Sequence, residues 1–268
     1  MPFYCTSRRV PVFTFHKIDP RFEWGVTRST PVQFRKLLVF LKSRDYHTVS
    51  LNQIFDAGSE LPERPVVLTF DDSYASVYHY AFPLLQEYGM RGTVFIITGF
   101  VNRPNTWDVN IGGVTFPHLT WSQISEMRRY GIEIGSHTVH HADLTRIPHR
   151  MMERELADSR EELENRLGCS IQYVSFPFGK YNDTVIDASL KAGYRKGCGC
   201  FVRRMDQKKC AESFVIERKS HYLIENLWEF RTKLSPGVLF ELENLKLRII
   251  NFCSRGTSLV KPTRFDTF

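Results

Sequence analysis

Two hydrophobic rhythms alternate along this chain. Short runs of nearly continuous apolar and β-branched residues are separated by longer stretches with apolar positions every three or four residues. The first rhythm marks strands buried on both faces, the second marks helices with one apolar stripe. The strand-like runs include RVPVFTFH, ending at His16, then HTVSL, RPVVLTFDD, GTVFIITGF, IEIGSH and IQYVSFPFG. Between them, TPVQFRKLLVFLKSRDY predicts a helix capped by Thr30, with Pro31 at its first position and Phe34, Leu37, Leu38 and Leu41 on one face. YHYAFPLLQEYGM predicts another, with an early proline and Gly89 to close it. TWSQISEMRRYG carries a Thr120–Gln123 capping box, stops at Gly131 and is expected to bury Trp121. HRMMERELADSREELENRLG places Met152, Leu156, Leu163 and Leu167 on one stripe and stops at Gly168. DTVIDASLKAGY is a further helix, followed by two short β-like stretches and a helical region from about residue 224 to 251. Residues 254–268 show no periodicity and are expected to form a flexible tail.

Strands alternating with helices imply a parallel sheet with helical crossovers. His16, Asp71, Asp72 and His137 all fall just after predicted strands. In a parallel barrel those carboxyl ends share one rim, where active sites collect. One domain spanning residues 1–253 is expected, with the chemistry-bearing part between about 10 and 222.

The run VVLTFDDSYAS ends a buried strand on two adjacent carboxylates, Asp71 and Asp72, which repel each other. An aspartate there can simply cap a following helix. Alternatively, a cation neutralises one carboxylate and leaves its neighbour free as a base. GSHTVHHADL favours the second reading, because His137 and His141 stand four residues apart and can aim at one point. Two neutral imidazoles and one carboxylate, Asp72, make a three-ligand site with positions left for water and substrate. His140, between them, is expected to make a structural contact.

Composition narrows the choices. Across 268 residues, 42% hydrophobic and 24% charged content describes a globular chain with a sizeable core. No apolar run reaches the roughly 20 residues that span a bilayer. The N-terminal stretch MPFYCTSRRVPVFTF lacks the order of a secretory signal, so a cytoplasmic location is expected unless an export signal lies outside this chain. The net charge of +7 is scattered in short clusters such as Arg203-Arg204 and Lys208-Lys209, with no basic-aromatic groove for nucleic acid. Six cysteines in irregular positions suggest free thiols, and CGCFVRRMDQKKC fits no standard zinc spacing. No feature of the sequence specifies an oligomeric state.

LTFDDSYAS, GSHTVHHADL and VSFPFGKYN, in that order, resemble the three motifs of the polysaccharide deacetylase family of carbohydrate esterases. Thr69 to Asp72 match Thr-Phe-Asp-Asp, His137, Thr138 and His141 match His-(Ser/Thr)-x-x-His, and Pro177, Phe178 and Gly179 match Pro-(Tyr/Phe)-Gly. VPVFTFHKID and HLTWSQISEMRRYGIEIGSHT are similar to the branch acting on exopolysaccharides and other surface glycans. The resemblance covers about residues 10–222 and implies a distorted (β/α) barrel of about seven parallel strands. It further implies metal-dependent removal of an N-acetyl group from an N-acetylated saccharide. Asp72, His137 and His141 would hold a divalent ion, zinc or alternatively cobalt or nickel, and Asp71 would be the general base. The Phe178 backbone N–H would bind the oxyanion, and His16 would be the general acid, with His221 as runner-up. The arginine that many members carry before the third motif is absent, Gln172 and Ser175 occupying that neighbourhood, and Arg218, where the exopolysaccharide branch often has an arginine, would orient Asp71. The later Asp-x-x-Asp-Trp and Leu-x-x-His motifs have no match. Trp107, Tyr74, Tyr181 and Pro177 are the candidate sugar contacts, and Asp108 and His118 are further ones. A metal-containing glycan-binding protein that has lost catalysis, and a deacylase of a non-sugar amide, are the competing readings.

Overall fold

The near-continuous apolar runs become strands because burial on both faces leaves no position for a polar side chain. In the computed structural model, which describes residues 10–21, 27–56, 58–106, 115–200, 214–221 and 227–234, the chain forms two units, residues 1–225 and 226–268. The larger unit opens with β1 (Val12–Phe15), buried at all four positions, and a small parallel pair, β2 (Lys17–Ile18) and β3 (Arg28–Ser29). Then come α1 (Pro31–Ser43), β4 (His47–Thr48), α2 (Leu51–Phe55) and the fully buried β5 (Pro65–Phe70). A π-helical turn, Val77–Ala81, runs into α3 (Phe82–Tyr88), followed by β6 (Thr93–Ile96), α4 (Trp121–Tyr130), β7 (Glu133–Ser136) and α5 (His149–Leu167). Next are β8 (Tyr173–Ser175), α6 (Asp183–Lys191), β9 (Lys196–Cys200) and β10 (Val215–Ser220). In the smaller unit, α7 (Leu227–Leu234) is the described part of the helical region expected from 224 to 251. The rest of that region and the expected tail lie outside the described residues.

The strands close on themselves in the order β1, β10, β9, β8, β7, β6, β5 and back to β1, every pairing parallel. This is the seven-stranded (β/α) barrel. Among the described residues β4 pairs only with Pro65 and Val66 at the start of β5. Val12, Val67, Phe95, Tyr173, Cys198 and Ile216 belong to one buried cluster, joined by Val49 and Leu51. Space for large rings comes from glycine on adjacent strands. A Cβ on Gly135 would lie 2.5 Å from the Phe95 ring, and one on Gly197 would lie 2.4 Å from Phe176.

Local chemistry sets the helix ends. Thr30 and Gln33 form a reciprocal capping box on α1, and Thr120 and Gln123 do so on α4, which closes at Gly131 with φ 104°. Phe34, Leu37, Leu38 and Leu41 are each no more than 2% exposed, a burial worth roughly 1.5–3 kcal/mol per side chain. Two expectations need correction. HTVSL contributes only a two-residue strand, because Ser50 turns the chain by forming a capping box with Gln53 and starting α2. Trp121 is half-buried rather than core, with the Arg166 guanidinium 5.3 Å from its ring centre. Among the described residues no helix is long and apolar enough to cross a membrane.

Candidate metal centre and active site

A parallel barrel delivers every strand's carboxyl end to one rim. β5 ends one residue before Asp71 and Asp72, β7 one before His137, β8 two before Pro177, and β1 one before His16. Asp72 Oδ1 lies 3.2 Å from His137 Nε2 and 3.5 Å from His141 Nε2. Ligand atoms of the three residues all fall within 4.8 Å of one another, and all three residues are buried. Ligands about 2.1 Å from a shared tetrahedral ion stand roughly 3.4 Å apart, so this donor set fits a zinc-like cation. The ring nitrogens support the fit. His137 Nδ1 is 2.7 Å from the Ser175 carbonyl, which can only accept, so Nδ1 carries a proton and Nε2, on the side of Asp72, is the nitrogen left to ligate an ion.

Backbone strain gathers at the same place. Of the seven non-glycine residues with positive φ among the described residues, five are Asp72, Ser73, Thr138, His141 and Phe178. Such conformations cost of order 1–3 kcal/mol each and persist where the surroundings over-determine them. The reading of Asp71-Asp72 as a helix cap fails, since the turn that follows has no side-chain cap bond. The loop carrying both histidines is held by Glu155 of α5, whose Oε2 accepts the N–H groups of Val139 (3.0 Å) and His140 (2.8 Å). Its Oε1 lies 2.6 Å from His140 Nδ1, the structural contact expected of His140.

Asp71 sits in a different environment, 4% exposed. Its Oδ1 accepts from Arg218 Nη1 (2.8 Å), and its Oδ2 accepts from Arg218 Nη2 (2.7 Å) and the Ser175 hydroxyl (3.0 Å). Three of about four lone-pair sites are thus engaged and one on Oδ1 is left over. Arg218, reaching over from β10, also bonds Thr69 Oγ1 (3.1 Å) and Ser175 Oγ (2.8 Å), with Phe95 5.4 Å beneath it.

The electrostatics follow. Burial pushes the Asp71 carboxyl up, but Arg218 and then His137 outweigh it and hold Asp71 below the usual carboxylate range. Asp72 is also held below that range, burial being outweighed by the His137 hydrogen bond and by the charges of His16 and His141. Burial lowers His137, yet its bond to Asp72 and the charges of both aspartates leave it raised. Burial, helped by His137, takes His141 down to about 3. The two imidazoles are thus shifted in opposite directions, His137 by its bond to Asp72 and His141 by burial.

The remaining candidates divide. His16 is half-buried after β1, its Nδ1 has no hydrogen-bond partner, and its charge acts on both aspartates. His221 is buried with its ring 5.2 Å from that of Phe15. Phe178 is 52% exposed with its ring 4.7 Å from His141, and the two bonds that close its turn, Gly179 N–H to Phe176 and Lys180 N–H to Pro177, leave its own N–H unused by the turn. Pro177 is buried beneath it, and Tyr181 is half-buried with its ring 5.6 Å from Phe176. Tyr74 is corrected: at 1% exposure it is a wall residue, enclosed by Phe116, His118 and Lys17, with its hydroxyl bonded by Asn105. A ring so enclosed cannot present a face to a sugar. His118 is buried as well, and burial takes its imidazole down to about 4. Trp107 and Asp108 lie outside the described residues.

Sequence reasoning missed Ser175 and Glu155 as parts of the site. Ser175 fell in the third-motif region without a role, yet its hydroxyl serves Asp71 and its carbonyl serves His137. Glu155 had a signal, being an acid on the apolar stripe of α5 between Met152 and Leu156.

Known proteins resemble this chain in sequence and in shape. The Bacillus subtilis (strain 168) protein YxkH, named for a polysaccharide deacetylase, is 28% identical over 192 residues, 70% of this chain and 63% of its own length. A Staphylococcus aureus poly-β-1,6-N-acetyl-D-glucosamine N-deacetylase is 26% identical over 176 residues, 62% of this chain and 58% of its own length. The chain therefore spans less than two thirds of these curated relatives. The crystal structure of a polysaccharide deacetylase from Bacillus cereus, BC0361, superposes with a TM-score of 0.71 at 25% identity, covering 85% of this chain and 69% of that one. The Streptococcus pyogenes deacetylase PplD in complex with acetate shares the fold, with a TM-score of 0.71 at 24% identity over 85% of this chain and 98% of that one. The family profile of the polysaccharide deacetylases matches residues 58–197, from before β5 into β9 and over just more than half of the sequence, and by that match the chain belongs to the polysaccharide deacetylase family.

Proposed function

We propose that this chain hydrolyses the N-acetyl group of an N-acetylated saccharide, with a divalent ion at Asp72, His137 and His141, releasing acetate and a free amine. The observation that carries the reading is the division of labour between adjacent aspartates. Asp72 faces two imidazole Nε2 atoms, while Asp71 faces away to Arg218 and Ser175. The name of the Staphylococcus aureus relative supports an N-acetylglucosamine polymer as the substrate class. Zinc suits the donor set, with cobalt or nickel as alternatives.

A bound divalent ion would supply Lewis-acid polarisation of the amide carbonyl and would acidify water, narrowing its pKa gap to Asp71. Asp71, kept ionised by Arg218, uses its remaining Oδ1 lone pair to take the proton from a water attacking the amide carbon. The Phe178 N–H, presented by a turn in the left-handed conformation, donates to the developing oxyanion. His16 delivers a proton to the departing nitrogen, because an amide anion is a poor leaving group.

The test is acetate release from N-acetylglucosamine oligomers by zinc-loaded protein. Asp71→Asn is expected to lower the rate by about 10²–10⁴-fold while substrate and metal binding persist. Undiminished turnover in D71N assigns the base elsewhere. Glycan binding by the native chain without acetate release would favour the binding-protein reading.

A further inference from the structure

Both histidines of the proposed metal site lie on one loop, and two of its residues hold strained backbone conformations. Thr138 and His141 sit at φ 66° and 58°, conformations disfavoured for side chains of their kind. His137 has outside support from the Ser175 carbonyl. On the carbonyl side, the Thr98 N–H donates to the Thr138 carbonyl and the Gly99 N–H to that of Val139; on the N–H side, the partner is a carboxylate on the buried face of α5. Glu155 is 7% exposed, and its two oxygens take the Val139 N–H, the His140 N–H and the His140 ring. These bonds clamp the two residues between the strained positions. Around them, the His141 N–H donates to Thr138 Oγ1, the Thr138 N–H donates to Ser136 Oγ, and Ser136 Oγ meets Ser159 Oγ, one turn along α5 from Glu155. The loop is thus laced to α5 at two levels, of which Glu155 alone bears a charge.

We infer that Glu155 is a positioning residue for the metal centre, its carboxylate holding the 138–141 backbone so that His141 meets Asp72 and His137 around one ion. The inference rests on the metal-site reading above. Glu155 touches none of the three ligand side chains in the bonds described, so its effect passes through the backbone. Removing it frees two part-buried N–H groups to seek other partners and lets the strained loop relax, drawing His141 Nε2 away from Asp72. His140 is the internal control. Its ring bonds the same carboxylate but is half exposed, and losing it leaves both backbone bonds in place.

The experiment measures Zn²⁺ affinity by calorimetry, and the visible absorption of bound Co²⁺, for the native protein, Glu155→Ala, Glu155→Asp, Glu155→Gln and His140→Ala. Each folded variant is first checked by circular dichroism. Glu155→Ala is expected to bind zinc about 10–100-fold more weakly, the usual effect of losing a ligand's supporting partner, with an altered Co²⁺ band. Glu155→Gln keeps an oxygen for the two N–H groups and should recover most of the loss. His140→Ala should bind nearly as the native chain does. Folded Glu155→Ala with native affinity and a native Co²⁺ spectrum would overturn the inference and leave the metal reading intact. Because Glu155→Ala can fail to fold, Glu155→Asp, which shortens the carboxylate's reach, is the second variant: zinc binding clearly weaker than that of His140→Ala supports the positioning role, and a folded Glu155→Asp with native affinity and a native Co²⁺ spectrum overturns it. A native chain that takes up no metal overturns the metal reading and this inference with it.

Discussion

Two carboxylates of the barrel accept three hydrogen bonds each and end in opposite electrostatic states. Asp71, at the carboxyl end of β5, takes its bonds from Arg218 twice and Ser175 once. Glu133 begins β7 at the opposite end and takes its bonds from the Thr93 hydroxyl (2.7 Å) and the N–H groups of Leu51 (2.9 Å) and Asn52 (3.0 Å). The guanidinium overcomes burial and lowers Asp71, whereas neutral donors do not, and burial leaves Glu133 raised above the ordinary glutamate value. Equal numbers of bonds therefore do not give equal ionisation; the charge of the donor decides. The rim is built to keep anions, and Glu133 instead ties the start of α2 to the barrel floor.

The largest way to break this contrast is Arg218→Met. It strands Asp71 as a buried anion without its partner and is expected to cost about 3–5 kcal/mol of stability, read by urea denaturation, together with loss of acetate release. Combining it with Asp71→Asn removes the stranded charge and should recover much of that stability. A double variant no more stable than Arg218→Met would show that Asp71 is not the charge Arg218 serves. Ser175→Ala comes next. It deletes one hydrogen bond to the ionised Asp71, about 1.5–3 kcal/mol, and should slow turnover by roughly tenfold or more while leaving the His137 contact, which uses the backbone carbonyl, in place. An unchanged rate would mean that Arg218 alone orients the base.

Glu133→Gln is the smallest, about 1 kcal/mol or less, and its value lies in its sign. An acid whose folded-state pKa is raised binds more protons in the folded state. Its contribution is fully present below the unfolded pKa and is lost as pH rises through the folded value. The stability of the native chain relative to Glu133→Gln should therefore decline as pH rises across the upper carboxylate range. A relative stability that instead falls as pH drops would make Glu133 an ion like Asp71 and erase the comparison.

The parts of this molecule that were legible from sequence were those written locally. The capping boxes at Thr30 and Thr120, the stops at Gly131 and Gly168 and the acids and histidines at strand ends each lie within a few residues of the structure they specify. The barrel followed because alternating rhythms leave few ways to bury every strand. Ser50 was legible but unread, its capping box hidden inside a stretch whose composition looked like a strand. Arg218 was suggested by resemblance, but its bidentate grip on Asp71, across 147 positions of sequence, is set by barrel closure and by no spacing. Ser175 could not be read at all, since half its work is done by a backbone carbonyl that any residue carries. Tyr74 misled because an aromatic beside an active-site motif looks the same in sequence whether it faces a sugar or the protein's own wall.

The most direct measurement is the zinc stoichiometry of the purified native chain beside Asp72→Ala and His141→Ala, by calorimetric titration. One ion per native chain is expected, with binding weakened by orders of magnitude in both variants. No uptake by the native chain, or uptake unchanged when either ligand is removed, would contradict a cation shared by Asp72, His137 and His141.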